Sequence, residues 1–106
     1  MYGFGISLYK TNNIIFTEAP VNIIEPSIEG DVISRETVRC DPGEWDYVTS
    51  EFSYQWLLDE KKVDGGDKQA YTINVRDIGK KLSCKVYASN VYGITEVETR
   101  EVLIQE

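Results

Sequence analysis

Turn-forming residues cut this chain at nearly regular intervals: Pro20, Pro26, Gly30, Pro42-Gly43, Gly65-Gly66, Gly79 and Gly93. Between them the apolar residues alternate rather than recur every three or four positions. In FSYQWLL, Phe52, Tyr54, Trp56 and Leu58 point one way while Ser53, Gln55 and Leu57 point the other. In Lys81–Asn90, Leu82, Cys84, Val86 and Ala88 share one face, opposite Lys81, Lys85 and Tyr87. A two-residue period is the pleat of a strand with one buried side, and no segment shows a convincing helical period. The chain is therefore expected to be all-β.

The remaining strands follow from the same reading. Val21–Glu25 lies between two prolines and suits an edge, because proline donates nothing to a ladder. Val32–Cys40 is expected to place Val38 and Cys40 on one face. Asp59-Glu60-Lys61-Lys62 is a charged hairpin tip. Tyr71, Ile73 and Val75 alternate in a short strand, and Ile94–Ile104 returns as a last long one. Counted from Val21, this is about seven strands, at a spacing that suggests a two-sheet sandwich.

Residues 2–16 are surplus to that sandwich. Tyr2, Phe4, Ile6, Leu8, Ile14 and Phe16 carry an apolar face, and Thr11-Asn12-Asn13 reads as a turn. Residues 1–19 are thus expected to form an arm, as a hairpin or one strand, ahead of a domain at 20–106. Such an arm packs on its own domain, remains a tail, or adds to a sheet or groove of a larger partner. The third is favoured, since strand addition gains main-chain hydrogen bonds together with burial at alternate positions.

Composition narrows the function classes. The net charge of −7 argues against a nucleic-acid or anionic-membrane partner, which would need a basic face. No run approaches transmembrane length, so membrane insertion is not expected. Histidine is absent, which removes the commonest general base and transition-metal ligand. No motif arranges the remaining Ser, Lys, Asp and Glu for catalysis. Asp64-Gly65-Gly66-Asp67 offers too few carboxylates for calcium and reads as a turn. No catalytic residue, metal ligand or cofactor is expected. Read from its Met1, the chain lacks a secretory signal and is expected to be made in a cytoplasm.

Cys40 and Cys84 share the inward parity of their strands, with Trp56 inward between them. On facing sheets they are either bridged or two buried thiols acting as small hydrophobes. Four aromatic residues, Trp45, Tyr47, Tyr87 and Tyr92, fall on turns or outward positions and are candidates for a surface contact with protein or carbohydrate.

The Cys40…Trp56…Cys84 spacing resembles an immunoglobulin-like domain. More narrowly, Pro42-Gly43-x-Trp45, Tyr54-Gln55-Trp56, Tyr71-Thr72, Asp77-x-Gly79 and Cys84-x-Val86-x-Ala88-x-Asn90-x-x-Gly93 resemble the Ig-like modules of bacteriophage and bacterial surface proteins. The likeness covers about residues 20–104 and departs from antibody-type domains in placing Leu82, not tyrosine, two residues before the second cysteine. It implies an immunoglobulin-like sandwich displayed on a virion, with the Trp45 of its Pro-Gly-x-Trp turn folded back onto the sandwich. The expectation is then a capsid auxiliary or decoration protein, held to a capsid or tail protein by its arm, on the capsid surface rather than the tail. Weak contact with host-surface glycans is part of what the resemblance implies. A binding or adhesion module of a longer surface protein is the rival class.

Overall fold

The computed structural model describes residues 18–106. The expected arm, with Tyr2, Phe4, Ile6, Leu8, Ile14 and Phe16, lies outside the described residues. The rest is an all-β domain without an α-helix among the described residues, built as a β-sandwich-like pair of layers.

One layer is centred on two long strands, β5 (Glu51–Leu58) and β8 (Lys81–Asn90), paired antiparallel over eight positions. On the far side of β5 lies β6 (Lys61–Lys62). The other side of β8 carries β9 (Gly93–Glu98) and then β10 (Val102–Leu103). The second layer has β3 (Thr37–Asp41) between β2 (Ser27–Glu29) and β7 (Ala70–Thr72). A shorter pair, β1 (Val21–Ile24) with β4 (Glu44–Asp46), extends it. The pairings Ser27 with Asp41 and Ile24 with Glu44 keep one antiparallel register across the gap. The gap holds Pro26 and Pro42, neither of which can donate to a ladder. Gly43 crosses it at φ +82°, where an added Cβ would collide with the carbonyl oxygen of Ile24. Only glycine takes that conformation at that approach without strain.

Between the layers Val38, Cys40, Trp56, Leu82, Cys84 and Val86 are fully enclosed, with Ile73 and Ile104 at 1% exposure. These are inward positions of the alternation. The C-terminus ties the layers together at one end: Gln105 pairs with Ile33 in parallel, and the Ile104 N–H donates to the Lys80 carbonyl at 2.9 Å.

Several local expectations are corrected. Ten strands are present among the described residues rather than about seven, because the last long run is split in two and short strands form at Ser27–Glu29 and Glu44–Asp46, outside the expected runs. The run expected at Val32–Cys40 is a strand only from Thr37. Val75 is not on the inward face of a strand: it starts a 3₁₀ turn, Val75–Asp77, and is half exposed. Asn74 opens that turn, accepting from the Arg76 N–H, while Asp77 accepts from the Asn74 N–H. This reciprocal cap competes successfully with strand continuation. Ile94–Ile104 is split at Thr99, whose hydroxyl accepts from the Cys84 N–H at 3.0 Å, a place a strand carbonyl would take. Leu57, outward by alternation, is buried at 4%. Opposite it Ser83 is also buried, with its hydroxyl donating to the Glu98 carboxylate at 2.7 Å, so this outer face is closed in.

Candidate interaction surface

The core residues singled out from sequence are brought together. Trp56 stacks on Tyr71, ring centroids 5.7 Å apart, and its indole N–H donates to the Lys68 carbonyl at 2.8 Å. Cys84 is its neighbour across the β5–β8 ladder. Cys40 and Cys84 are free, buried thiols from facing layers, packed in the same core cluster. A hydrogen bond to Cys40, then burial, pushes the Cys84 thiol well above its ordinary value.

A buried polar link missed by sequence reasoning lies beside them. The Tyr71 hydroxyl donates to Asp77 Oδ2 at 2.6 Å, and Asp77 is 6% exposed. Both residues belong to the motif that carries the family resemblance, and the spacing of six was the available signal. Burial, then the hydrogen bond to Asp77, pushes the Tyr71 phenol above its ordinary 10.0. Burial likewise raises Tyr54. A phenol held neutral in the folded state supports folding fully below the unfolded value. That support is lost as pH rises beyond it, because only the unfolded chain then sheds the proton. Urea midpoints are therefore expected to fall from about pH 10 upward. Tyr71→Phe should cost about 1–2 kcal/mol at pH 7 and fall less steeply above pH 10. A Tyr71→Phe curve parallel to wild type throughout would exclude this role.

The four surface aromatics do not form one cluster. Trp45 packs back toward the core, 6.1 Å from Phe52, with its indole N–H donating to the Pro42 carbonyl at 2.7 Å. Tyr87 is half-buried on the outer face of β8, opposite Ser53 and Glu96. Tyr47 and Tyr92 are exposed at the same end of the sandwich.

That end is assembled by Asn90. Its side-chain amide donates to the Glu18 carbonyl at 2.8 Å and to the Val48 carbonyl at 3.0 Å, while its oxygen accepts from the Tyr92 N–H at 2.8 Å. One side chain thus joins the point where residues 1–17 reach the domain, the loop after β4, and the β8–β9 turn. The Ser50 N–H to Ser89 carbonyl bond, 2.7 Å, and the Thr95 hydroxyl to Pro20 carbonyl bond reinforce it. Gly93 permits the close approach: a Cβ there would lie 3.3 Å from that of Ala19.

The surface so formed is apolar. β1 presents Val21 and Ile23. The loop after β4 adds Val48 beside Tyr47, the β8–β9 turn adds Val91 at 87% exposure, and the start of β9 adds Ile94 at 69%. Sequence reasoning found the tyrosines here and missed the aliphatic residues. Their signal was apolar character at turn or outward positions. The opposite end is different, with Asp59, Glu60, Lys61 and Lys62 on one hairpin and Arg76, Lys80 and Lys81 nearby, all exposed. Among the described residues no group of three or more acidic, cysteine or histidine side chains is placed to hold a metal ion.

Fold and surface together define a small all-β, sandwich-like domain with one apolar end. Comparison of the chain with family models, curated proteins and solved structures finds no match.

Proposed function

We propose that this chain is a non-enzymatic structural protein of a virion, an immunoglobulin-like head carried on an attaching arm. The most economical assignment is a bacteriophage capsid auxiliary or decoration protein. The observation that carries the reading is the core, in which residues between Ile28 and Ile104 pack around a fully buried Trp56. The alternating apolar positions of residues 2–16 suit attachment to a partner. The immunoglobulin-like reading is supported by two buried cysteines from facing layers in one core cluster with a buried tryptophan. If Phe4, Ile6, Leu8 and Phe16 bury in a partner, each contributes about 1.5–3 kcal/mol before ordering costs. Repetition over a symmetric shell would make such attachment durable.

Two measurements test it. In the free full chain, amides of residues 2–16 should exchange with deuterium far faster than those of β5 and β8. Equal protection would place those residues in the fold and end the arm reading. Phe4→Ser with Ile6→Ser should leave the head folded yet abolish co-sedimentation with particles of the virus encoding it. Wild-type protein that never co-sediments with such particles would favour the adhesion-module alternative.

A further inference from the structure

We infer that the apolar end of the sandwich is itself a docking surface, fitting a protein face that is apolar at its centre and carries lysine or arginine at its rim. This deepens the attachment reading, on which it rests, by giving the head its own share of the contact. Three observations support it.

The first is placement. Residues 1–17 reach the domain at Glu18, whose carbonyl is held by Asn90 within this end. An arm seated on a partner would be joined to the head at this end.

The second is asymmetry. Seven of the eleven large apolar side chains exposed among the described residues (Val21, Ile23, Tyr47, Val48, Val91, Tyr92 and Ile94) lie in β1, the loop after β4, the β8–β9 turn or the start of β9. Isolated exposed aliphatic residues are ordinary on a soluble domain, whereas their concentration at one end marks an interaction site.

The third is charge. Residues 18–24, 44–51 and 88–95 contain Glu18, Glu44, Asp46 and Glu51, all exposed, and no lysine or arginine. None of these four forms an ion pair among the described residues. An apolar centre with carboxylates around it complements a basic rim, which steers approach and sets orientation. A second copy of this chain is disfavoured as the occupant, since two such ends would oppose carboxylate to carboxylate.

The test uses the isotope-labelled full chain and two synthetic octapeptides, one alternating leucine with lysine and the other leucine with glutamate. At low salt the lysine peptide should shift the amides of Val48, Val91 and Ile94 and bind about tenfold more tightly than the glutamate peptide. Salt at about 0.5 M should weaken it several-fold. Ile23→Ser with Ile94→Ser, both at exposed positions, should weaken it about tenfold while the core amides of Trp56 and Cys84 stay in place. Equal binding of the two peptides, or shifts centred on Lys61 and Lys62, would overturn the inference. Shifts confined to residues 2–16 would overturn it too, while leaving the arm intact. Conversely, shifts at Val48, Val91 and Ile94 in a protein whose residues 2–16 are as protected as the core would sustain this surface and remove the arm.

Discussion

Trp56→Ala is expected to destabilise the domain by about 3–5 kcal/mol, the range for emptying a large aromatic site in a core. A small domain has about 5–15 kcal/mol in total, so the variant should sit near the edge of folding. The indole is fully enclosed, stacks on Tyr71 and satisfies the Lys68 carbonyl. Its backbone is held too, with the N–H donating to the Gly66 carbonyl at 2.7 Å and the carbonyl accepting from the Val63 N–H at 3.0 Å. The Asp64–Asp67 turn is therefore fastened to this one strand position. Gly66 lies so close that a Cβ there would come within 2.9 Å of the Val63 Cβ and 3.3 Å of the Trp56 Cβ. Relaxation into the cavity is limited by that fastening, which argues for the upper part of the range. Trp56→Phe keeps most of the volume and loses the hydrogen bond. It should cost about 1–3 kcal/mol, since the Lys68 carbonyl loses its indole partner and part of the site is emptied. Urea midpoints and slopes at pH 7 measure both. A Trp56→Ala loss under about 1 kcal/mol would mean that the layers are not held together here.

Oxidation of Cys40 and Cys84 to a disulfide is expected to raise stability by about 4 kcal/mol in the chain-entropy model, because the bond closes a long loop in the unfolded chain. Both thiols are fully buried in one core cluster, from facing layers. The same burial makes them slow to react. With its thiol pushed upward, Cys84 yields little thiolate near neutral pH, and thiolate is the attacking species. Native protein should resist iodoacetamide at pH 8 and become alkylated at both positions once unfolded in urea. Refolding with oxidised glutathione should join Cys40 to Cys84 and release two molecules of reduced glutathione. The joined form should unfold at higher urea than the reduced form. Equal midpoints would mean that native strain cancels the entropic gain. Rapid alkylation of the native protein would contradict the enclosed placement of both thiols. The raised Cys84 value has a pH consequence of the same sign as that of Tyr71: reduced protein should lose stability as pH rises beyond the ordinary thiol value of 9.0.

Much of the core was legible without coordinates. Val38, Cys40, Trp56, Leu82, Cys84 and Val86 are enclosed, as their alternation requires, because side-chain direction along a strand is a property of the local backbone. The hairpin expected at Asp59-Glu60-Lys61-Lys62 is present with a shorter tip: Asp59 and Glu60 take positive φ, 48° and 68°, as a two-residue turn between twisted strands demands, while Lys61 and Lys62 already pair as β6. Alternation failed where a side chain captured a backbone group. Thr99 interrupts the last strand through the Cys84 N–H, and Asn74 with Asp77 turns the chain before Val75 can continue β7. Nothing in the spacing of apolar residues announces such captures, since they depend on polar atoms meeting particular donors.

The candidate surface shows the same division. Tyr47 and Tyr92 stood out as exposed aromatic residues, and Asn90 and Gly93 stood out as motif positions. That Asn90 holds Glu18, Val48 and Tyr92 at one end follows from no local pattern, because the first two lie far from it along the chain. The sequence by itself determined an all-β chain, its inward residues and its acidic balance, which are set by short-range geometry and composition. Only the tertiary structure decided that the two thiols share one core cluster, that Tyr71 reaches Asp77, and that the apolar and acidic residues of three separate segments share one end. Those are contacts between residues distant along the chain, and packing of the layers creates them.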